Sequence, residues 1–164
     1  MDNKTIIDIL QGKFGKNASA VDESSDILTL TIDRSILHDV ILCLKEDAAL
    51  QFTFLTTLCG IHYPDVPLPL GVVYHLHNLY EKKRIRVKTF LPGADPSVSS
   101  LTDLFSAANW MERETYDFYG IIFTSHPNLK RILNVDYMDY FPMRKEYPLE
   151  DSARPDKDDR FFGR

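Results

Sequence analysis

The sequence predicts an α+β fold, a two-layer sandwich in which helices pack on a mixed or antiparallel sheet of about four strands. Apolar residues recur at helical spacing in three segments of the chain. Apolar runs of strand length lie between these segments, and breaks rich in proline or glycine separate them. At 164 residues the chain is long enough to bury a substantial core in one domain.

The first third of the chain predicts a helix, a strand and a second helix, in that order. An amphipathic helix is expected over residues 6–14, and Gly15 is placed to end it. Residues 27–32 alternate apolar and polar side chains, as a strand with one solvated face does. Asp33 is placed to cap the next helix, whose wide apolar stripe runs over residues 36–50.

Three strands are expected next, over residues 51–62, 71–80 and 84–91. Only residues 81–83 separate the last two, which predicts a hairpin. The loop between the first two holds three prolines within residues 63–70, and proline cannot donate to a strand ladder.

The third predicted helix contains the most informative stretch of the chain, Glu-Arg-Glu-Thr-Tyr-Asp-Phe-Tyr-Gly at residues 112–120. A serine within residues 97–100 is expected to cap a long helix that ends at Gly120. Helical spacing predicts one buried face, formed by Leu101, Leu104, Phe105, Ala108, Met111, Thr115, Phe118 and Ile122. Another face is predicted to hold Trp110, Arg113, Glu114 and Asp117.

From residue 134 onward the apolar periodicity disappears. Aromatic residues and prolines are dense over residues 136–149, which indicates an extended arm. Residues 150–164 mix acidic and basic side chains and should be disordered on their own. We therefore divide the chain into an α+β domain, residues 1–133, and an extended partner-binding C-terminal arm, residues 134–164.

Charge and cysteine content narrow the class of function. A formal net charge of -5 argues against general nucleic-acid binding, which needs a basic surface. Cys43 and Cys59 lie in apolar stretches and are expected to be buried, reduced thiols. The apolar runs are interrupted well short of bilayer length, so we expect membrane association only through partners.

Two histidines are the candidates for a metal site. His75 and His77 alternate along one predicted strand and would project from the same face. No CxxC or HExxH motif and no acid at a fixed offset completes a ligand set. Core or surface histidines are the stronger interpretation.

The carboxylates of the 112–120 stretch are the candidates for acid/base chemistry. Close carboxylates such as Glu112, Glu114 and Asp117 can split their pKa values so that one retains a proton near neutrality. Arg113 stands four residues before Asp117, however, and the two are expected to pair along the helix as a structural ion pair. No nucleophile motif or glycine-rich phosphate loop accompanies them.

Aromatic residues interleaved with arginines are typical of protein interfaces. For the helix, core packing and interface contact remain equal alternatives, whereas for the arm we favour an interface. The residues concerned are Trp110, Tyr116, Tyr119, Tyr137, Tyr140, Phe141 and Tyr147, with Arg113, Arg131 and Arg144.

Residues 112–133 resemble the signature of a known family, the 30 kDa subunit of respiratory complex I, which in bacteria is a subunit of NADH-quinone oxidoreductase. The resemblance includes the Glu-Arg-Glu opening, Tyr-Asp-Phe-Tyr-Gly, His-Pro and Arg-Ile-Leu. Residues 140–149 are similar to a second block of that family. The sequence departs from this block at Tyr140 and Phe141, where the family carries Gly and His.

The resemblance implies a scaffold subunit that is not an enzyme on its own and has no flavin, iron–sulfur cluster or metal. Those cofactors are expected in partner subunits. The expected partners are the large subunit of the quinone site and the small subunit with the terminal iron–sulfur cluster, on the cytoplasmic side of the bacterial inner membrane. The residues expected to bind partners or support the interface are Trp110, Glu112, Arg113, Glu114, Asp117, His126, Arg131, Arg144, Lys145 and Tyr147.

Two alternatives stay open. The same module also resembles components of membrane-bound energy-converting hydrogenases and related complexes. A protein of a different class, a stand-alone metal-dependent hydrolase, would use the His75 and His77 pair together with the carboxylates of the third helix.

Overall fold

The computed structural model describes residues 2–15, 19–22 and 26–147. In these ranges the chain forms α1 (Asn3–Phe14), β1 (Ser19–Asp22), β2 (Leu28–Ile32), α2 (Leu37–Glu46), β3 (Phe54–His62), β4 (Leu70–Asn78), β5 (Lys83–Leu91), β6 (Ser97–Ser99), α3 (Ala108–Tyr119) and β7 (Ile122–Thr124). The predicted tail, residues 150–164, lies outside the described residues.

The main sheet has five strands in the order β1-β2-β5-β4-β3. β2 pairs with β5 in parallel, and the other neighbours are antiparallel, so the predicted mixed sheet is confirmed. β6 and β7 form a separate parallel pair. The sequence predicts four of these seven strands. β1, β6 and β7 are only three or four residues long, too short to show a period.

The core lies between one face of the sheet and the helices. Alternate residues of β4 and β5 point into it, including Tyr74, Leu76, Ile85 and Val87, which are fully buried. α1 and α2 add the buried side chains Ile6, Leu10, Leu37, Val40, Ile41 and Leu44. α3 packs against β3 at the edge of the sheet. Full burial of each large apolar side chain contributes about 1.5–3 kcal/mol.

Helix ends follow the predictions in part. α1 ends as expected, because Gly15 has a φ of 86° and its N–H donates to Gln11 O at 3.0 Å. Asp33 accepts hydrogen bonds from the N–H and the hydroxyl of Ser35, at 2.9 and 2.6 Å. α2 begins only at Leu37, so Asp33 caps the preceding turn and the predicted N-cap is wrong.

The predicted hairpin is confirmed. β4 and β5 pair antiparallel up to Asn78 and Lys83, and residues 79–82 form the turn between them. The Asn78 side chain fixes this turn by accepting from the N–H of Glu81 at 2.9 Å. Its amide donates to Leu50 O at 2.7 Å, which ties the hairpin to the loop after α2.

The third helix is shorter than the sequence predicts. α3 begins at Ala108 without a side-chain cap, whereas residues 97–99 form β6 and residues 101–107 form turns. Ser100 does not cap the helix, because its hydroxyl donates to Glu112 Oε2 at 2.6 Å. The apolar spacing before Ala108 therefore reflects burial beneath turns rather than helical periodicity.

Two burial predictions are wrong for the same reason, the alternation of side chains along a strand. Ile122 is predicted on the buried face of the helix, but it lies in β7 and is 46% exposed. Cys59 is predicted in the core, but it is exposed between the buried Leu58 and Gly60 of β3. Within the described residues, no helix is both long and apolar enough to cross a bilayer.

Candidate functional site

Asp117 organises the loop that follows β7. Its side chain is fully buried, and Oδ2 accepts the backbone N–H groups of Ile132, Leu133 and Asn134 at 3.0, 2.8 and 2.9 Å. Oδ1 accepts from Arg131 Nη1 at 2.7 Å and from the Asn134 amide at 3.1 Å. Burial acts to raise the pKa of Asp117, but these donors outweigh it and hold the pKa well below its usual range.

Arg113 grips the same loop one helical turn earlier. Its Nε donates to Lys130 O at 3.2 Å and its Nη2 donates to Arg131 O at 3.1 Å. The exposed ring of Trp110 lies 5.2 Å from the guanidinium carbon. α3 thus offers a donor side chain to two carbonyls and an acceptor side chain, that of Asp117, to the N–H groups that follow.

Arg131 connects this loop to the arm. Nη1 donates to both the backbone and the side chain of Asp117, and Nη2 donates to Met138 O at 2.7 Å and to Tyr140 O at 3.1 Å. The side chain is 8% exposed. A buried guanidinium with several acceptors fixes geometry well, because its donors form a rigid planar fork.

Phe141 closes the arm over the end of α3. Its ring lies 5.2 Å from the guanidinium carbon of Arg131 and 4.9 Å from that of Arg144. The ring also covers Gly120, where an added Cβ would come within 2.5 Å of it. Gly120 has a φ of 73° and ends α3 as predicted, and Arg144 Nε donates to Tyr119 O at 2.7 Å.

The rest of the described arm also contacts the domain. The Lys145 N–H donates to His62 Nδ1 at the end of β3, at 2.9 Å. The Tyr140 and Tyr147 rings pack with centroids 5.0 Å apart. Residues 134–147 contain no regular helix or strand, in agreement with the loss of periodicity, and the division into domain and arm stays a prediction.

This arrangement leaves a row of large apolar side chains exposed along the loop and the arm. Tyr137 is 87% exposed and Leu133 is 65% exposed. We call the set the exposed strip, and its members are Leu133, Val135, Tyr137, Tyr140, Met143 and Tyr147. Contiguous exposed apolar side chains with a polar rim mark interaction sites more often than isolated ones do.

The structure corrects the predicted ion pair of α3. Asp117 pairs with Arg131 rather than with Arg113, although Arg113 stands four residues before it. Arg113 donates instead to backbone carbonyls. Helical spacing allows an i, i+4 pair, but here the loop supplies more partners to each side chain than the two could supply to each other.

Three other predicted interface residues lie apart from this cluster. Glu114 is exposed on α3. His126 Nε2 donates to Asn109 O at 3.1 Å, and its Nδ1 accepts the Asn128 N–H at 3.0 Å, so it fixes the turn before the loop. Glu112 faces the core on the opposite side of the helix from Asp117.

Glu112 is fully buried, with Oε2 accepting from Ser100 Oγ at 2.6 Å and Oε1 accepting from Leu101 N at 2.7 Å. Burial raises its pKa to about 7. The Tyr74 hydroxyl is buried in the same region, and burial together with Glu112 raises the pKa of Tyr74. Glu112 and Asp117 therefore belong to separate hydrogen-bond networks and form no carboxylate pair.

The histidine pair lies on the far side of the sheet. His75 Nε2 accepts from Arg86 Nε at 3.0 Å, and Nδ1 lies 2.8 Å from Thr57 Oγ1. Both ring nitrogens of His75 are thus engaged. In the part of the chain that the structure describes, no group of three or more His, Cys, Asp or Glu side chains is arranged to hold a metal ion.

The residues expected to support the interface leave out two members of the cluster. Asn134 supplies two donors to Asp117, and Phe141 fills the space between two guanidiniums. The signal for Phe141 is its position among the aromatic and basic residues of the arm. Nothing in the periodicity points to Asn134, because a loop side chain has no period.

The fold and the cluster define the class of protein: an α+β domain whose third helix anchors a long segment that follows the last strand. The chain belongs to the family described as "Respiratory-chain NADH dehydrogenase, 30 Kd subunit", whose model matches residues 30–153. This confirms the resemblance found in the sequence.

Similar proteins carry the name of one and the same subunit of NADH-quinone oxidoreductase. The one from Citrifermentans bemidjiense is 38% identical over 93% of this chain and 94% of its own length. The one from Streptomyces coelicolor is 43% identical over 74% of this chain and 49% of its own length. The chain therefore spans about half the length of the Streptomyces protein.

Two solved structures share the fold. The chain described as "Nqo5 of the trypsin-resistant fragment (1-134)" is 29% identical, with a TM-score of 0.67 over 79% of this chain and 100% of that chain. A chain of the membrane-bound sulfane sulfur reductase, an archaeal respiratory membrane complex, has a TM-score of 0.73 over 89% of this chain and 85% of that chain. At 19% identity, the second likeness shows the fold alone.

Proposed function

We propose that this chain is a non-catalytic scaffold subunit in the peripheral arm of a proton-translocating NADH-quinone oxidoreductase. It docks the large subunit of the quinone site and the small subunit with the terminal iron–sulfur cluster, and so supports electron transfer from NADH to quinone. Flavin and iron–sulfur clusters belong to partner subunits in this proposal. The chain lies on the cytoplasmic side of the bacterial inner membrane and reaches the membrane only through the complex.

The observation that carries the proposal is the exposed strip and the way it is held. An exposed tyrosine such as Tyr137 contributes little to the stability of the isolated chain, yet Arg131 fixes the backbone on both sides of it through Asp117 and Met138 O. Ordering a binding segment in advance lowers the entropy cost of association. Tyrosine and arginine are also the residues that dominate binding energy at protein interfaces.

The proposal is tested by co-expressing the full chain with the large subunit of the quinone site. Tyr137→Ser should reduce co-purification of that subunit, because a buried aromatic anchor is worth about 2 kcal/mol or more at an interface. Tyr80→Ser is the matched control, since Tyr80 is 84% exposed in the hairpin turn and 87% is the value for Tyr137. Equal co-purification of wild type and both variants would contradict docking through the strip.

The hydrogenase alternative differs from this proposal in the identity of the complex. Support for the NADH-quinone oxidoreductase comes from relatives at 38% and 43% identity that carry this name. Purification of the native complex distinguishes the two directly. A complex that reduces protons and lacks NADH oxidation would favour the hydrogenase.

The stand-alone hydrolase finds less support in the contacts of its candidate residues. His75 is engaged at both nitrogens, and Glu112 and Asp117 have their oxygens occupied by separate sets of donors. Turnover of hydrolase substrates by the purified chain, lost in His75→Ala, would restore this alternative.

A further inference from the structure

The face of the main sheet that is turned away from the helices carries a basic row. Arg84, Arg86 and Lys88 of β5 point to this face, because Ile85 and Val87 between them are buried in the core. The whole chain has 19 basic and 24 acidic residues, so a cluster of one sign is a local feature rather than a reflection of composition. We call these three side chains and the surface around them the basic face.

Histidines of β4 border the row. His75 lies in register with Arg86, and His77 with Arg84. Because Arg86 Nε donates to His75 Nε2, the imidazole of His75 is neutral and carries its proton on Nδ1, next to Thr57 Oγ1. Burial, followed by the charges of Arg86, Arg84 and Lys88, lowers the pKa of His75.

Hydrogen bonds hold the centre of the basic face in place. Arg86 is fixed by His75 at 3.0 Å on one side, and its Nη1 lies 3.5 Å from Thr29 Oγ1 on the other. Thr57, His75, Arg86 and Thr29 therefore form a row across four adjacent strands. A guanidinium positioned in this way is ready to receive a carboxylate without losing much side-chain entropy.

The basic face lacks internal neutralisation. Among the residues that the structure describes, no carboxylate forms an ion pair with Arg84, Arg86 or Lys88. Asp22 is at the outer edge of the sheet in β1, and Glu114 is near Cys59 at the opposite edge. Three like charges side by side repel one another, and opposite charge from outside would relieve this.

We propose that the basic face binds a carboxylate-rich, extended segment of a neighbouring protein subunit, as a second docking surface apart from the exposed strip. The three cations occur at alternate residues of a strand and so stand about 7 Å apart, which is the spacing of alternate side chains in an extended peptide. Arginine pairs with carboxylate in a bidentate geometry that gives such a contact specificity.

A protein segment fits this face better than a lipid surface or a nucleic acid. Recognition of anionic lipid generally uses clusters of about 4–8 basic residues on a projecting element, whereas this row has three, set flat on a sheet. The net charge of -5 opposes the long-range attraction of a nucleic acid.

The first test uses the native complex that contains the full chain. A carbodiimide joins an ammonium group to a carboxylate in direct contact, so it should join Lys88 to an Asp or Glu of another subunit and identify that segment. Acetylation of Lys88 should be slower in the complex than in the isolated chain. Lys4, exposed on α1 on the helix side of the sheet, is the reference. Equal acetylation of Lys88 in both states would overturn the proposal.

The second test is charge reversal. Lys88→Glu and, separately, Arg84→Glu should each weaken retention of the cross-linked subunit by at least about tenfold at low salt, because like charges facing each other cost several kcal/mol. Lys4→Glu should leave it unchanged. Unchanged retention in both variants would overturn the proposal. Flotation of the isolated chain with vesicles of equal parts phosphatidylcholine and phosphatidylglycerol, abolished by Lys88→Glu, would overturn it in favour of lipid.

The two docking surfaces fail independently. Loss of retention in Tyr137→Ser with normal behaviour of Lys88→Glu would leave the exposed strip as the docking surface and remove the basic face. The opposite pattern would keep the basic face and contradict docking through the strip.

Discussion

Replacement of Asp117 by asparagine tests how the arm is held. The Asp117 side chain is fully buried and accepts three backbone N–H groups, a guanidinium and an amide. Asn keeps the shape but has only one acceptor oxygen. If this oxygen faces Ile132, Leu133 and Asn134, the new NH₂ group faces Arg131 and donors confront donors. Loss of one partner from a buried ion pair costs about 3–5 kcal/mol.

For a chain of this size, about 2–4 °C of melting temperature corresponds to each kcal/mol, so Asp117→Asn should melt about 10 °C below wild type. Calorimetry together with urea unfolding of the full chain measures this. Asp139→Asn is the matched control, an exposed aspartate in the same arm, and should lie within about 0.5 kcal/mol of wild type. Wild-type stability of Asp117→Asn would refute the view that Asp117 holds the loop.

Two further predictions concern Glu112 and Gly120. The folded-state pKa of Glu112, about 7, lies above the usual 4.5, so the folded chain binds the extra proton and its free energy of unfolding falls as pH rises between these values, by up to about 3 kcal/mol. Glu112→Gln should remove this fall and be more stable than wild type at pH 8 but not at pH 4.5; parallel urea midpoints of the two proteins across this range would contradict it. Gly120→Ala should cost about 1–3 kcal/mol and make the segment around Phe141 more sensitive to protease, because the added methyl group meets the Phe141 ring at a φ of 73°. Unchanged cleavage and stability would count against the close packing described.

The sequence predicts the main layers of the fold because their signals are periodic. The stripes of α1 and α2 and the apolar runs of β3, β4 and β5 each extend over nine or more residues, and all five elements are present. Residues 101–105 imitate a helix because every third or fourth side chain is buried, but Ser97–Ser99 pair with β7 and Ser100 binds Glu112. Local spacing cannot distinguish burial beneath turns from burial along a helix.

The candidate site is predictable in composition but not in connectivity. The residue types of the cluster are recognisable, since Arg113, Asp117, Arg131 and Arg144 are all expected to support an interface. Asp117 is assigned to the wrong arginine, because helical spacing is visible in a sequence and the return of a loop onto the helix is not. The Asn134 contacts depend on the same return and have no sequence signal.

The basic face shows a similar limit. The sequence displays Arg84, Arg86 and Lys88 at alternate positions, but a strand buried on both faces and a strand with one open face can share that pattern. Their common exposure becomes evident only when β5 lies between β2 and β4 with helices on one side.

The central claim is that the exposed strip becomes buried against another subunit. Hydroxyl-radical oxidation of Tyr137, measured by mass spectrometry in the isolated chain and in the native complex, tests it most directly. Tyr80 serves as the internal reference, because its exposure in the isolated chain, 84%, is close to the 87% of Tyr137. The account predicts that assembly lowers oxidation of Tyr137 relative to Tyr80. An unchanged ratio in the assembled complex would contradict it.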